Sequence, residues 1–295
     1  MKKTLFVLFA VLVAVYLFFS FISIKSEYNA EKKLWKINQE YADLLRSPET
    51  APEQGFDELI SRYKQYVEEF PASRLKPKVQ IMVGRVYLLK KDYDAARMEL
   101  KKVIELYPDT EELKLESLSA IAKSYELEDR WLDALKIYKE IQRDYPETSV
   151  ALSVPLYIAQ YYQENNKKLE ADKAFADAVA YYNQMVRDTV DPKVEYKALT
   201  LLSVCYLAQE KWMETVKVLE KIILKYPIPQ VTPKIIAMIN NISTAKLNDY
   251  DIPIQIYKNF LERYPDHQLG GALREMIAAF ERFKNENVVV GITGK

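Results

Sequence analysis

Two patterns of apolar and polar positions divide the chain. Residues 4–24 form an apolar run without a charged side chain. Beyond it, apolar residues recur at i, i+3 and i+4 among charged and amide side chains, a spacing that is typical of amphipathic helices. Alanine, leucine, glutamate, lysine and glutamine, all strong helix formers, supply much of this part. The pattern therefore predicts an all-α protein in which one apolar segment precedes a series of amphipathic helices.

The apolar run is long enough to cross a membrane. A helix rises about 1.5 Å per residue, so residues 4–24 would span roughly 32 Å, against about 30 Å for the hydrocarbon core of a bilayer. Lys2 and Lys3 precede the run as in a secretory signal, but neither a small-x-small cleavage site nor a cysteine for lipid attachment follows it. We therefore predict a signal anchor in residues 1–26, with residues 4–24 as its transmembrane helix.

Such an anchor would make the chain a single-pass protein of the inner membrane. Lysines lie on both sides of the run, with Lys2 and Lys3 before it and Lys25, Lys32 and Lys33 after it, so counting basic residues does not decide the orientation. The short, signal-like start favours a cytoplasmic N-terminus and a C-terminal body in the periplasm or outside the cell. The alternative is a body that faces the cytoplasm.

Prolines end the predicted helices at regular intervals. The residue before a proline avoids the α-helical conformation, and the proline ring cannot continue the hydrogen-bond ladder. These prolines recur every 35 to 46 residues and are Pro71, Pro108, Pro146, Pro192, Pro227 and Pro265. A fixed period near 35 residues indicates a stacked array of helix pairs.

Further positions repeat in step with the prolines. A small or apolar residue stands twelve positions before most of them, a larger apolar or aromatic residue eight before, and a tyrosine twenty-one before. The small or apolar residues are Ala96, Ala134 and Thr215; the larger ones are Leu100, Tyr138, Leu219 and Tyr257; the tyrosines are Tyr87, Tyr125 and Tyr206. The third unit follows a register anchored on Ala171 instead, with Tyr162 and Phe175 at the corresponding positions. Pro253 and Thr244 break the pattern in the last unit.

This register resembles the tetratricopeptide repeat, whose consensus is W-x2-L-G-x2-Y, a turn, A-x3-F-x2-A and a closing proline. The best match runs from Gly84 and Tyr87 through Ala96 and Leu100 to Pro108. The resemblance implies an α-solenoid of stacked helix-turn-helix repeats over residues 56–284. Its predicted parts are a partial unit at 56–71, units at 77–108, 115–146, 152–192, 196–227 and 234–265, and a capping helix at 268–284.

The segments outside the repeats leave alternatives open. Residues 27–55 are predicted as a helical stalk and hinge. Leu34, Ile37, Tyr41 and Leu44 follow a 3-4 spacing that could form a short coiled-coil seam, but the segment is so short that packing on the first repeat is favoured. The tail, residues 285–295, is predicted to be flexible, and addition of a strand to a partner's sheet is the alternative.

Composition excludes several kinds of site. The 42 basic and 42 acidic residues cancel, so no basic field holds nucleic acid. Six glycines, one histidine (His267) and one cysteine (Cys205) argue against phosphate loops, metal clusters and catalytic triads. We therefore predict no catalytic residue, no metal or cofactor site and no small-molecule substrate. The 22 tyrosines are expected to pack between helices.

The resemblance implies a concave groove in which the first helices of the repeats bind a protein or peptide partner. The expected groove residues are Lys78, Ile81, Arg85, Leu88, Glu116, Ser119, Lys123, Glu126, Leu156, Gln160, Gln163, Lys197, Thr200, Val204, Leu207, Ile235, Met238 and Ile242. The predicted function is a membrane-anchored interaction scaffold in the bacterial cell envelope, similar to helical-repeat proteins of outer-membrane assembly or Tol-Pal coordination. The alternative is a homo-oligomeric scaffold at a membrane surface.

Overall fold

The computed structural model describes Val13 and residues 27–293, with side chains up to residue 284. The part from residue 27 onward is built from α-helices joined by short turns, and a π-helical turn, Ile242–Lys246, extends one of them. The helices are α1 (Glu27–Arg46), α2 (Glu53–Glu69), α3 (Lys76–Leu89), α4 (Tyr93–Leu106), α5 (Glu111–Leu127), α6 (Trp131–Asp144), α7 (Ser149–Glu164), α8 (Lys168–Asp188), α9 (Pro192–Ala208), α10 (Trp212–Lys225), α11 (Thr232–Asn241), α12 (Asp251–Arg263) and α13 (Gly270–Thr293).

The predicted membrane span is corrected by the structure. Within the described residues, no helix is both long enough and apolar enough to cross a bilayer. Long helices such as α8, with 21 residues, carry charged side chains along their length because only one face is buried. Apart from Val13, residues 4–24 lie outside the described part of the chain. The transmembrane helix in the predicted fold and the single-pass membrane location are therefore not supported, and the fold is an all-α helical repeat.

The described part of the chain divides into two compact units, the first ending at Asp144 and the second beginning at Tyr145. In the first unit α1 packs on α2, α3 on α4 and α5 on α6, while α3 also contacts α5. In the second unit α7 packs on α8, α9 on α10 and α12 on α13, while α7 also contacts α9. One continuous apolar core extends from Leu152 to Ile277 in the second unit. Consecutive helices thus pack on each other in both units.

Helix α1 belongs to the first of these pairs. Ala30 and Ile37 are 0% and 3% exposed in a core shared with α2 and α3, and Leu34, Tyr41 and Leu44 pack against that core. This confirms packing on the first repeat rather than a coiled-coil seam. The segment predicted as a stalk therefore supplies the first helix of the pair whose second helix was predicted at 56–71.

Tyrosines of the second helices form hydrogen bonds to the first helices of the same pairs. In three pairs the tyrosine eight positions before the closing proline donates a hydrogen bond to the first helix. The Tyr63 hydroxyl donates to the Asn38 side chain at 2.8 Å and the Tyr138 hydroxyl to Glu126 at 2.8 Å, while Tyr257 donates to the Ile236 carbonyl at 3.2 Å and to the side chain of Asn240. Each ring fills the space between two helices while its hydroxyl keeps a polar partner.

One pair uses a close approach instead of a tyrosine. A Cβ atom added to Gly84 on α3 would lie 2.7 Å from Cγ of Leu100 on α4, closer than such carbon atoms approach each other. Leu100 and Ala96 are both fully buried. Glycine therefore lets α3 and α4 pack with Leu100 between them, as the repeat consensus at these positions implies.

The turns between paired helices share one backbone motif. The second turn residue is in the left-handed region at φ between 49° and 65° in Lys91, Asp129, Asn166, Glu210 and Asn248. The next amide then donates back to the helix. Asp92 N–H, for example, donates to the Tyr87 carbonyl at 3.0 Å, and Lys91 N–H donates to the Leu88 carbonyl at 3.1 Å. These two bonds form the Schellman motif, which satisfies carbonyls at the end of the first helix.

The fifth turn departs from this pattern. Asp249 N–H donates to the Ser243 carbonyl at 2.8 Å, one residue earlier than the equivalent tyrosine position. The π-helical turn Ile242–Lys246 accommodates the additional residue. Ser243, one residue before Thr244, therefore accepts the bond that tyrosine accepts in the earlier turns. The last helix, α13, has a helical backbone to Thr293 and so includes most of residues 285–295, whose predicted flexibility stays a prediction.

We expect Lys91→Gly to stabilise the protein by about 0.5 to 1 kcal/mol, because the left-handed conformation strains a residue that has a Cβ atom. Asn166→Gly is the matched control, and its gain should be smaller because asparagine tolerates this conformation. The midpoint of urea denaturation measures both effects. A Lys91→Gly midpoint at or below that of the wild type would contradict this account of the turn.

Candidate partner-binding surface

The predicted groove residues lie on the first helices of the pairs and on the π-helical turn. Because α3 contacts α5 in the first unit and α7 contacts α9 in the second, the predicted residues of these neighbouring helices come together within each unit. We call these two regions the α3/α5 surface and the α7/α9 surface. The two surfaces differ in whether their charged side chains form ion pairs with each other.

On the α3/α5 surface the basic groups already have acidic partners. Arg85 Nη2 lies 2.7 Å from Glu116 Oε1, which joins the two helices. Lys78 and Glu112 form a longer pair across the same helices at 3.6 Å, and Lys123 contacts Glu126 at 2.7 Å. Partly exposed pairs of this kind contribute about 0 to 1 kcal/mol each. A partner that binds these charges must compete with the existing pairs.

Four of the expected groove residues lie in the core. Ile81 is fully buried among Leu100, Val103 and Ile121, and Leu156, Ile235 and Ile242 are 7%, 8% and 4% exposed. Their positions on the helices face a neighbouring helix rather than the outer surface. Ser119 and Thr200 are half-buried, and each hydroxyl donates to the carbonyl four residues earlier, at 2.7 and 2.8 Å. Leu88 is half-buried and Met238 is exposed.

The α7/α9 surface carries groups without ionic partners. Gln160, Val204 and Leu207 are half-buried, and Gln163 is exposed. Lys197, half-buried near the start of α9, forms no ion pair with any side chain in the described part of the chain. This surface therefore offers apolar area, amide groups and a free ammonium group.

A cavity of about 570 Å³ opens where α7 and α9 end. Its floor contains the buried Ala171 and Phe175 of α8, and polar side chains surround it. The lining residues are Gln163, Asn166, Lys168, Ala171, Asp172, Phe175, Ala208, Gln209 and Lys211. Of these, only Gln163 was among the expected groove residues. Asn166, Lys168, Ala208, Gln209 and Lys211 stand in or beside the turns, which the sequence pattern marks only as breaks between helices. Ala171, Asp172 and Phe175 lie in the first part of α8.

Two helices begin at this cavity. The N-cap residues of α8 and α10 are Lys167 and Lys211, and neither N-terminus receives a hydrogen bond from a capping side chain. By contrast, Asp92 caps α4 by accepting from the Ala95 amide at 3.1 Å. The positive ends of the two helix dipoles lie at the cavity, and Glu170 and Glu214 in the first turns offset part of their charge.

Helix α7 depends on a hydroxyl from α8. Pro155 stands inside α7 and has no N–H to donate to the helical hydrogen-bond ladder. The buried Tyr182 hydroxyl binds the backbone beside it, because it accepts from the Leu156 amide at 3.2 Å and donates to the Leu152 carbonyl at 2.7 Å. Burial raises the pKa of Tyr182, so this hydroxyl stays protonated and remains a donor.

His267 and Cys205 are both held in contacts that belong to the packing of the fold. His267 Nδ1 accepts from the Leu269 amide at 3.2 Å, and its ring meets that of Phe260 edge-on at 5.1 Å between centroids. Cys205 is fully buried, and burial raises the pKa of its thiol to about 12, which keeps it protonated and unreactive at neutral pH. Within the described residues, no group of three or more His, Cys, Asp or Glu side chains could hold a metal ion.

A family model described as tetratricopeptide repeat matches residues 79–110, 116–148 and 197–227. This chain contains tetratricopeptide repeats. The match confirms the resemblance found in the sequence, and the repeat boundaries agree with helix pairs α3/α4, α5/α6 and α9/α10. Two of the unmatched segments have an unusual feature, since α8 has 21 residues and α11 continues into the π-helical turn.

Solved structures show low similarity to this repeat protein. A structure of Naa15/Naa10 bound to HypK-THB is 15% identical with a TM-score of 0.43, and the match covers 74% of this chain but only 30% of that one. PilF of Pseudomonas aeruginosa is 16% identical, covers 69% and 88% of the two chains, and has a TM-score of 0.37. The TPR2AB domain of yeast Sti1 in complex with pHSP90 is 12% identical, covers 87% and 98%, and has a TM-score of 0.35.

A comparison with curated protein sequences finds no significant match. The similarities to solved structures are too low to transfer a partner or an activity to this chain. They also do not confirm the expected likeness to proteins of outer-membrane assembly or Tol-Pal coordination.

We expect Tyr182→Phe to destabilise the protein by about 1 to 3 kcal/mol, because a buried amide and a buried carbonyl of α7 lose their partner. Tyr181→Phe is the matched control. The Tyr181 hydroxyl donates to the Pro146 carbonyl at 3.2 Å in an exposed position, where water can replace it. Urea denaturation compares the two variants, and equal losses would contradict the role assigned to Tyr182.

Proposed function

We propose that this tetratricopeptide-repeat chain is a protein-interaction module that binds a segment of a partner protein on the first-helix surface of its second unit. Repeats of this family commonly mediate contacts between proteins, and members generally act as scaffolds without catalysis. The proposal assigns no catalytic residue, cofactor or small-molecule substrate to the chain. The envelope location expected from residues 4–24 does not enter it.

The observation that carries the proposal is that the α7/α9 surface leaves apolar and amide side chains partly exposed. Val204 and Leu207 are apolar side chains that the core only half covers, and Gln160 and Gln163 stand beside them with amide donors and acceptors. Protein interfaces combine a partly apolar centre with a polar rim in this way. The α3/α5 surface supports the proposal less well, because its charged side chains are already paired with each other.

The test is photo-crosslinking from single positions in cells that express the full chain. A photoreactive phenylalanine derivative replaces Gln160 or Lys197 on the surface, or Lys217, which is exposed on the outer face of α10. We expect a discrete crosslinked protein from Gln160 and Lys197 and none from Lys217. Crosslinks of equal yield from all three positions, or from Lys217 alone, would refute binding at this surface.

A further inference from the structure

We propose that the partner segment on the α7/α9 surface is an extended peptide with an apolar centre flanked by acidic side chains. This inference rests on the proposed function and adds the chemistry of the partner. It follows from the free charges, the spacing and the apolar floor of the surface.

Free positive charge lies at both ends of the surface. Lys197 stands near the start of α9, and Lys168 and Lys211 line the cavity at its far end. In the described part of the chain, none of these three ammonium groups forms an ion pair with an acidic side chain. A partner carboxylate would therefore gain these contacts without breaking an existing pair, in contrast to the α3/α5 surface.

The cavity also carries one acidic group. Asp172 is exposed in the lining, one turn into α8 from Lys168, and the two do not form an ion pair. The lining itself thus holds two lysines against one aspartate, while Glu170 and Glu214 stand outside the lining in the first turns of α8 and α10. The balance at the cavity favours an anionic group of the partner.

The spacing sets the length of the segment. Lys197 and Leu207 are ten residues apart on α9, which corresponds to about 15 Å along the helix. An extended peptide advances about 3.3 Å per residue, so roughly five residues reach from Lys197 to the cavity. Val204 and Leu207 lie between the charged ends, and Phe175 forms the floor beyond them. Apolar side chains at the middle of the segment would cover this area.

The test uses three labelled nonapeptides with blocked ends and a Leu-Val-Leu centre. The flanking residues are aspartate and glutamate in the first, asparagine and glutamine in the second, and lysine in the third. Fluorescence anisotropy measures their affinity for the full chain. We expect the acidic peptide to bind at least about tenfold more tightly than the neutral one, and salt to weaken this binding.

Charge-reversal variants locate the binding. Lys197→Glu and Lys211→Glu should each weaken the acidic peptide by about tenfold, whereas Lys217→Glu on the outer face of α10 should leave it unchanged. All three lysines lack ion pairs in the described residues, so circular dichroism and the urea midpoint should stay at wild-type values in each variant.

The outcomes separate this inference from the proposed function. Equal binding of the acidic and neutral peptides, preference for the basic peptide, or no binding of any peptide overturns the inference, and crosslinks from Gln160 and Lys197 would then still support the proposed function. Absence of those crosslinks overturns the proposed function itself. Sedimentation that shows self-association lost in Lys197→Glu would assign the surface to a second copy of the chain and also overturn the inference.

Discussion

The packing of each second helix against its own first helix is the constraint on which the structure depends. A large side chain of the second helix enters the space between them, and any hydroxyl it brings must find a partner there. The hydroxyls of Tyr63 and Tyr138 donate to side chains of the first helix, and the Tyr182 hydroxyl bonds to an amide and a carbonyl of α7. Where Leu100 takes this place, Gly84 makes room for it. The abundance of tyrosine and the scarcity of glycine follow from this arrangement.

This packing decides which faces remain for a partner. The aromatic residues of the second helices are packed inside the pairs. The side chains that remain accessible to a partner are therefore those on the exposed faces of the first helices. On α3 and α5 these are mostly opposite charges that pair with each other, as Arg85 and Glu116 do. On α7 and α9 they are amides, apolar groups and Lys197, which forms no ion pair with an acidic side chain of the described residues. The two units therefore present different chemistry on equivalent positions.

The sequence predicts the helix pairs well because proline, small residue and tyrosine recur at fixed spacings. It misses α1 as a repeat helix because the loop at residues 47–52 is longer than the three-residue turns such as 90–92, and the register is lost there. The sequence does not show that Ile81 is buried whereas Arg85, four residues later on the same helix, is half-buried. Burial depends on how neighbouring helices cross. Pro155 would end a helix by local rules, and the contacts of the distant Tyr182 hydroxyl with the backbone beside it cannot be read from the sequence. The cavity is hidden for a similar reason, because Lys168 and Lys211 are far apart in the chain.

Hydrogen–deuterium exchange of the full chain, with and without a saturating acidic peptide, tests the central claim most directly. Binding should slow amide exchange in the second halves of α7 and α9 and at the N-termini of α8 and α10, since these helices line the surface and the cavity. Exchange in α3 and α5 should not change. Protection confined to α3 and α5, or protection spread evenly over the helices, would contradict the account.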